Sequence, residues 1–475
     1  MSKKDLQESI RSRYKHTSSF MMGASLLFFD AAALMISIGI GFFIVNFVSP
    51  PSIYLRSFIK YAIFLPLIFI VFYSAGLYPG IFLAPEEEVK LFSICTFFSL
   101  MGAAISITTI KSTKDFIPIA IALVLAWPAA TLLLPMGREV GRRFNSHFAF
   151  WGVPAIVYAA GDHYKEVVKR LITRRSSGYK PVLIITSDLI HPEEFMGVSI
   201  VSPSDEIYSI IKNLGIKVAI NCGYKENLEN IHTHYRYVIQ IPRNQLTAYL
   251  SMKMKNFGGI LGFSSTNNLT KLEALALKRF IDLFLCLLIA PLVVPVCIFI
   301  AIGIKCSSKG PVFYGHKRTG KRRKPLKCWK FRSMCIDAEE KLKEILANDP
   351  VRAAEWEKDR KFTDDPRVTK FGKFLRKTSL DELPQLWNIF TGEMSFVGPR
   401  PVTEGELSKY GKFADYILSV KPGLSGMWQI SGRSDTGYEE RINLDTYYIQ
   451  NWSIWLDIWI IIKTVWVVLK GKGAY

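Results

Sequence analysis

The stretch FIDLFLCLLIAPLVVPVCIFIAIGI, residues 280–304, decides how this chain is arranged at a membrane. It exceeds the about 20 apolar residues that a helix needs to cross a bilayer. Pro291 and Pro295 lie at its centre, where each removes a backbone donor and bends or breaks the helix. Basic residues flank the run at both ends: Lys278, Arg279, Lys305, Lys309, Lys317, Arg318 and Lys321.

Because basic flanks favour the cytosolic face, we predict that segment 278–305 enters and leaves the bilayer by that same face. We expect the helix to break at the two prolines, with protein or lipid headgroups covering the exposed backbone. A kinked helix that spans the bilayer is the alternative. It would export everything after residue 305, which the basic composition there opposes.

Apolar runs also fill the first third of the chain. Four segments approach bilayer length, roughly 20–47, 57–77, 91–110 and 116–135, and predict a transmembrane helical bundle over residues 1–145. Basic residues before the first segment and after the fourth place both ends in the cytosol. Asp30 lies within the first segment, and we expect it near the cytoplasmic interface rather than in a functional site.

Composition supports a membrane protein. The 475 residues are 49% hydrophobic, too apolar for an ordinary soluble enzyme, and the formal charge is +20. A basic balance suits anionic lipid, a phosphorylated substrate or nucleic acid; the apolar runs favour the first two, and we expect no nucleic-acid partner. The seven cysteines form no CxxC pair, which indicates a reducing compartment.

Residues 146–265 change character. Short β-branched runs such as VLIIT (182–186) and VAINC (218–222) alternate with helical stretches, which predicts an α/β domain with a Rossmann-like parallel sheet. Its first turn, AAGDHY (159–164), has only Gly161 where dinucleotide-binding folds use three glycines. We therefore expect a regulatory or packing role for this domain.

The C-terminal stretch WSIWLDIWIIIKTVWVVLK, residues 452–470, repeats tryptophan at helical spacing. This pattern predicts a helix lying in the headgroup region, with Asp457 and Lys463 facing water. A further spanning helix is the alternative.

Two adjacent carboxylates, Asp381 and Glu382, stand out in SLDELPQLW, residues 379–387. Ser379 and Glu382 match a helix capping box, and Pro384 is tolerated only in a first helical turn, so a helix should begin within a residue or so of Asp381. A helix start keeps a carboxylate ionised and attracts phosphate. A purely structural cap is the alternative reading.

Cations precede and follow these acids. PLKCWKFRSM (325–334) would place Lys330 and Arg332 on one face of a strand, and FVGPRP (396–401) holds Arg400 between two prolines. Further basic residues lie directly before the acids: Arg367, Lys370, Lys373, Arg376 and Lys377. Cations gathered around two acids suit phosphoryl transfer, in which Mg²⁺ and arginines neutralise the transferred group and a carboxylate can form an acyl phosphate.

Three blocks carry a resemblance to a known family: residues 310–334, residues 364–401 and KPGLSGMWQISGR (421–433). Together with the apolar run 280–304 they resemble, in order, the signature blocks of the bacterial sugar transferases, which are polyprenol-phosphate hexose-1-phosphate transferases. The resemblance covers roughly residues 275–475. The leading helices and GLYPG (76–80) look like the long-form members, which include galactose phosphotransferases acting on undecaprenyl phosphate.

The resemblance implies three domains: a transmembrane helical bundle (1–145), a Rossmann-like regulatory domain (146–265) and an α+β monotopic phosphoglycosyl transferase domain (271–475) with the reentrant helix 278–305. It also implies a transfer of hexose 1-phosphate from a UDP-sugar to undecaprenyl phosphate that starts a surface polysaccharide such as O-antigen, capsule or exopolysaccharide. A homodimer in the bacterial cytoplasmic (inner) membrane is implied, with the catalytic domain on the cytosolic face. The sugar is expected to be galactose rather than glucose.

Site residues follow from the matched positions. Asp381 is expected to be the nucleophile, Glu382 to move a proton or organise Mg²⁺, and both to be metal ligands. Substrate contacts are expected from Lys330, Arg332, Arg376, Gln385, Arg400, Gln429, Arg433 and Asp445. Two alternatives stay open: a catalytically silent membrane scaffold or nucleotide sensor, and an oxidoreductase working through the middle domain.

Overall fold

The computed structural model describes residues 3–48, 64–110, 116–188, 191–224, 235–241, 252–257, 260–265, 269, 271–350, 352–353, 362, 365–431 and 438–470. The chain forms two compact units, residues 1–248 and 249–475. The apolar helices and the α/β region that the sequence assigns to separate domains both fall in the first unit. Arg433 lies outside the described residues.

The helices are Lys3–Tyr14, Ser19–Val48, Leu65–Ser74, Pro85–Ile110, Phe116–Asn145, His163–Thr173, Asp205–Leu214, Leu272–Ser307, Ala338–Asn348, Lys370–Lys377, Gln385–Thr391, Glu404–Tyr410, Ala414–Ile417, Met427–Ser431, Tyr438–Gln450 and Ile454–Lys470. The strands are β1 (Val153–Ala159), β2 (Tyr179–Thr186), β3 (Glu194–Phe195), β4 (Val198–Val201), β5 (Val218–Cys222), β6 (Tyr237–Gln240), β7 (Met252–Phe257), β8 (Ile260–Ser265), β9 (Phe313–Thr319), β10 (Pro325–Phe331), β11 (Ser395–Val397) and β12 (Gly423–Ser425).

Four helices in the described ranges are long and apolar enough to cross a membrane: Leu6–Val48, counted from the N-terminal helix onward, Pro85–Ser106, Ile117–Asn145 and Leu272–Ser307. They indicate a membrane protein. Of the predicted segment 57–77, the described part forms only the ten-residue helix Leu65–Ser74, and residues 49–63 lie outside the description. The fourth predicted segment continues ten residues further than expected, to Asn145.

A buried ion network holds the bundle together. Arg138 and Asp30 form an ion pair with both side chains 0% exposed. Arg138 Nη1 also donates to Glu88 Oε1 at 2.9 Å, and the Tyr78 hydroxyl donates to Asp30 Oδ2 at 2.7 Å. The carboxylate of Asp30 lies inside the bundle, where the longer fourth helix supplies the charged partner that a buried acid needs. Its expected depth near the cytoplasmic interface stays a prediction.

The α/β region forms a six-stranded sheet in the order β3-β4-β2-β1-β5-β6. β1 pairs in parallel with β2 and with β5, whereas β3 and β4 are antiparallel. Its central strands are buried on both faces, as their continuous apolar runs predict. Leu6 and Ile10 of the N-terminal helix pack on one face of the sheet, and Val168 of the His163–Thr173 helix packs on the other.

The helix Leu272–Ser307 is the long apolar helix of the second unit. It continues through Pro291 and Pro295, so the expected break at the prolines is wrong at the level of secondary structure. Each proline removes a single backbone donor, and the hydrogen bonds of a 36-residue helix continue on both sides. Leu292 and Phe299 are 74% and 73% exposed, which leaves most of this apolar helix free to meet lipid.

Polar residues near the start of this helix tie it to the rest of the second unit. Lys278 Nζ donates to Asp457 Oδ2 at 2.5 Å and to the Val397 carbonyl at 3.0 Å. Asp282 Oδ1 accepts hydrogen bonds from Ser395 Oγ and from the Phe396 amide, at 3.0 and 3.1 Å. The helix is thus anchored by paired, largely buried polar groups at the end where the polypeptide enters the apolar run.

The C-terminal helix Ile454–Lys470 differs from its prediction. Asp457 is buried and accepts hydrogen bonds from Lys278, Tyr448 and Trp452 rather than facing water. Trp452 is 2% exposed and Leu456 is fully buried in the core of the second unit. The sequence pattern could not reveal this, because an amphipathic stripe looks the same whether it faces headgroups or a protein core.

Candidate active site

The two adjacent acids lie on a short 3₁₀ turn, Leu380–Glu382. Ser379 has a left-handed backbone (φ 56°) and its side chain caps no helix; the α-helix starts at Gln385, after Pro384. The predicted capping box is therefore wrong, and the predicted helix start is met only by the 3₁₀ turn that begins at Leu380. The proline does stand just ahead of a helix, but that helix begins four residues after Asp381.

Leucines on either side of the acids explain their apolar setting. Leu380 and Leu383 pack in a cluster that contains Ile304, Phe331 and Leu375. These contacts press the turn against the helix Leu272–Ser307, strand β10 and the helix Lys370–Lys377. Hydrophobic burial of the two leucines thus fixes the acids between three elements.

Lys330 faces both acids from strand β10. Its Nζ lies 2.6 Å from Glu382 Oε1 and 3.9 Å from Asp381 Oδ2. The residues two and four positions earlier, Cys328 and Leu326, are buried, and strand alternation puts Lys330 on their inward face. Strand β10 therefore delivers one ammonium group to a pair of carboxylates.

Asp381 is 9% exposed, and burial raises the pKa of its carboxyl above the usual range for aspartate. The neighbouring charge of Glu382 raises this pKa further, whereas Lys330 and Arg376 lower it. The prediction that the backbone keeps this carboxyl ionised is thus corrected in the balance: a backbone hydrogen bond at Asp381 lowers the pKa, as do the larger effects of Lys330 and Arg376, but burial and Glu382 together outweigh all three.

Arg376 is held by an unusually close backbone approach. Its Nε donates to Ser333 Oγ at 2.9 Å. A Cβ atom on Gly372, one turn earlier in the same helix, would stand 2.0 Å from the Ser333 carbonyl oxygen. Glycine at 372 therefore permits the contact that aims Arg376 toward Asp381.

Arg400 is mounted between Pro399 and Pro401, as the sequence predicts, and its guanidinium carbon lies 5.1 Å from the centre of the Trp428 ring. Burial and the charges of Arg441 and Arg318 lower the pKa of Arg400, whereas Glu382 raises it. Arg400 therefore lies within electrostatic range of Glu382.

Three other predicted residues have different surroundings. Arg332 is 8% exposed; its guanidinium donates to the carbonyls of Lys309 and Ser308 at 2.8 and 3.0 Å, which ties β10 to the end of the long helix. Gln385 is buried in the first turn after Pro384. Asp445 is 1% exposed and accepts a hydrogen bond from the Tyr410 hydroxyl at 3.3 Å.

Sequence reasoning missed two residues that shape the site. Asn388 is fully buried, accepts a hydrogen bond from the Trp329 amide and donates to the Lys327 carbonyl, so it holds the helix of Gln385 against strand β10. The sequence feature that could have revealed Asn388 is a polar amide within an otherwise apolar helical stretch. His316 lies opposite Cys328 on strand β9; burial and nearby Arg318, Lys330 and Arg400 lower the pKa of His316 to about 4.

The acid pair offers oxygen ligands of the kind that magnesium prefers. The described part of the chain contains no group of three or more His, Cys, Asp or Glu side chains that could enclose a metal. Mg²⁺, however, is commonly held by one or two carboxylates together with substrate phosphates, and Asp381 and Glu382 supply two. The residues fit an ion that shares its coordination with a diphosphate.

Comparison with known proteins gives the family. A profile described as bacterial sugar transferase matches residues 273–471. The chain is 35% identical over 398 residues to a UDP-galactose-lipid carrier transferase of Erwinia amylovora, covering 82% of each chain. It is also 35% identical over 367 residues to an undecaprenyl-phosphate galactose phosphotransferase of Salmonella typhimurium, covering 74% of this chain and 75% of that one. The chain belongs to the bacterial sugar transferase family.

A further relative matches only part of the chain. A UDP-glucose:undecaprenyl-phosphate glucose-1-phosphate transferase of Escherichia coli is 43% identical over 207 residues, which is 42% of this chain and 41% of that one. The family membership that the signature blocks predicted is thus confirmed.

Proposed function

We propose that this protein transfers a hexose 1-phosphate, galactose 1-phosphate first, from a UDP-sugar to undecaprenyl phosphate and releases UMP. The observation that carries the proposal is the placement of the Lys330 ammonium 2.6 Å from Glu382 and 3.9 Å from Asp381. Phosphoryl transfer is catalysed by positioning and by charge neutralisation, and this cluster offers a carboxylate nucleophile inside a cationic setting.

In the first half-reaction an oxygen of Asp381 attacks the β-phosphorus of the UDP-sugar. The bond from that phosphorus to the bridging oxygen breaks, UMP leaves with the electron pair, and a sugar phosphate stays on Asp381 as an acyl phosphate. Lys330, Arg376 and Arg400 hold the phosphate oxygens. A bound Mg²⁺ would supply further neutralisation of the diphosphate charge, with Asp381 and Glu382 as its protein ligands.

In the second half-reaction an oxygen of undecaprenyl phosphate attacks the same phosphorus and displaces Asp381 as a carboxylate. Glu382 takes the proton of the lipid phosphate. Lys330 stays near both carboxylates and favours their ionised forms. Burial of Asp381 keeps bulk water away from the acyl phosphate, which limits its hydrolysis.

The membrane arrangement follows from exposed apolar surface. Trp387 and Phe390, on the helix that follows the acids, are 60% and 43% exposed and stack on each other. The long helix Leu272–Ser307 presents a bare apolar surface beside them in the same unit. We infer that this surface enters the bilayer from the cytosolic face as a reentrant element, with the continuous helix bending at Pro291 and Pro295 rather than breaking, so that the acids meet the headgroup of the lipid substrate.

Galactose is proposed before glucose because the two galactose-named relatives described above match 82% and 74% of this chain, whereas the glucose-named relative matches 42%. Glucose 1-phosphate is the second candidate, since its relative has the higher identity, 43%, over the part that it matches. Assaying UMP release with UDP-galactose, UDP-glucose and UDP-N-acetyl sugars decides between them.

The α/β region is proposed as a Rossmann-like regulatory or packing domain, with the protein a homodimer in the inner membrane. The Gly161 amide donates to Asp188 Oδ2 at 2.9 Å. This places a carboxylate beside the turn where dinucleotide-binding domains receive a pyrophosphate, which disfavours an anionic cofactor.

The nucleophile is tested without lipid. Purified protein mixed with UDP-galactose and Mg²⁺ is expected to gain the mass of one hexose phosphate, measured on the intact protein. Asp381→Asn should gain none, while Asp415→Asn, which alters an exposed carboxylate, should behave as wild type. A labelled, active Asp381→Asn would disprove the nucleophile, and UMP release unaffected by chelation would disprove the metal. A protein that releases no UMP from any UDP-sugar is a scaffold or sensor.

A further inference from the structure

Arg441 is a buried cation that the mechanism above does not use. It lies on the helix Tyr438–Gln450 and is 6% exposed. Its guanidinium carbon lies 4.9, 5.3 and 5.7 Å from the ring centres of Trp428, Tyr438 and Tyr410. Within the described ranges no carboxylate oxygen lies within 4.0 Å of it, and its Nε and Nη2 atoms have no hydrogen-bond partner.

A second guanidinium shares the Trp428 ring. Arg400 lies 5.1 Å from the centre of that ring, and the charge of Arg441 is one cause of the lowered pKa of Arg400. Two desolvated guanidinium groups that repel each other electrostatically destabilise the fold unless an anion compensates their charge. Glu406 binds Arg318 at 3.0 Å and the Thr403 amide at 2.7 Å. Asp445 accepts from Tyr410 with Oδ2, and its Oδ1 has no partner among the described residues, so its charge acts on Arg441 without a hydrogen bond between them.

We propose that Arg441 and Arg400 form, around Trp428, a subsite for the phosphate that Asp381 does not attack. This inference rests on the proposed function, since it places a second phosphate of the same reaction. Burial strengthens charge-assisted hydrogen bonds, and a guanidinium with two unused donor atoms matches phosphate oxygens. Arg400 belongs to this subsite and also interacts electrostatically with Glu382, which links the subsite to the acid pair.

The neighbouring Gln429 refines the ligand chemistry. Its side-chain Oε1 is buried and has no partner among the described residues. An amide oxygen accepts a hydrogen bond, and a nucleotide offers hydroxyl and imide donors that a polyprenyl phosphate lacks. UMP, which the donor releases, and undecaprenyl phosphate are both phosphate monoesters, but Arg441 together with the unpartnered Gln429 oxygen favours the phosphate that leaves with the nucleoside.

The test measures equilibrium binding to the full-length protein in detergent, with no sugar donor present. UMP is one probe and a short-chain polyprenyl phosphate is the other. Arg441→Gln is expected to raise the Kd for UMP about 10- to 100-fold, because it removes charge-assisted hydrogen bonds. The matched control is Arg323→Gln, which removes an arginine whose side chain is 58% exposed and should change neither Kd.

A loss confined to UMP assigns the subsite to the nucleotide, and a loss confined to the polyprenyl phosphate assigns it to the lipid. Unchanged affinity for both probes overturns the subsite. Arg441→Lys, which keeps the charge but not the planar fork, serves if the glutamine variant does not fold, and it is expected to weaken binding less. Arg441-dependent UMP binding without turnover would instead overturn the transferase proposal and leave the subsite standing.

Discussion

Gly372 lies so close to Ser333 that a Cβ on residue 372 would stand 2.0 Å from the Ser333 carbonyl oxygen. The contact joins the helix that carries Arg376 to the segment that follows strand β10. The contact therefore helps to set the distance between Arg376 and Lys330, the two cations that lower the pKa of Asp381.

Gly372→Ala is expected to force the helix away from Ser333 and to destabilise the protein by about 1–3 kcal/mol. The displaced Arg376 should also raise the KM for the UDP-sugar. Gly405→Ala is the matched control: it lies in a helix with nothing within 4 Å of its Cβ, and should stabilise by about 0.5–1 kcal/mol. Thermal unfolding and UMP-release kinetics check both variants. Equal behaviour of the two variants would contradict the close approach.

Lys330→Gln is expected to shift the pH dependence of UMP release. Asp381 must be ionised to attack, and Lys330 lowers its pKa against the raising effect of burial. Removing the ammonium raises that pKa, so the acidic limb of kcat/KM should move to higher pH. Lys324→Gln, at an exposed position just before strand β10, should leave the profile unchanged. An acidic limb that stays in place in Lys330→Gln would argue against this coupling.

Arg138→Leu is expected to destabilise the first unit strongly, by about 3–5 kcal/mol, because it leaves the buried carboxylate of Asp30 without its cation and removes one of the two arginines that pair with Glu88. Arg143→Leu removes a partly exposed pair with Glu139 on the same helix and should cost at most about 1 kcal/mol. Thermal unfolding in detergent compares them. Similar losses would show that the buried network does not hold the bundle.

Asp445→Asn is expected to change the pH dependence of stability. Burial raises the pKa of Asp445 to about 7, against the lowering charges of Arg441 and Arg400 and the Tyr410 hydrogen bond. In the unfolded chain it titrates near about 3.9. Folding is therefore favoured by its protonated form, and that stability is lost as the pH rises toward about 7. The advantage of the asparagine variant in Tm should grow between pH 4 and about 7 and then level off. A pH-independent difference would refute this.

The sequence predicted secondary structure best where runs were long or strictly patterned. The strands around VLIIT and VAINC and three bilayer-length helices of the first third appear where expected. Prediction failed where the same sequence pattern is compatible with two different tertiary environments. Asp457 was expected in water and is buried against Lys278, 179 residues earlier, because only the folded chain brings that cation to it.

Local motifs around the acids were the least reliable guide. Ser379 and Glu382 have capping-box spacing, yet the turn is 3₁₀ and Ser379 is left-handed. Packing of Leu380 and Leu383 against the long helix outweighs a cap worth about 1 kcal/mol. The sequence correctly predicted that Lys330 lies near the two acids, but it did not predict the backbone conformation that carries them.

The sequence by itself determined that this is a membrane-associated sugar transferase, since apolar run length, charge and ordered signature blocks are properties of the chain alone. Only the tertiary structure decided which cations reach the acids. Lys330 lies within ion-pair distance of both carboxylates, whereas Arg332, two residues later, donates its hydrogen bonds to backbone carbonyls. Hydrogen bonds and ion pairs depend on distances of a few ångströms between segments far apart in the chain, and those distances are fixed by core packing.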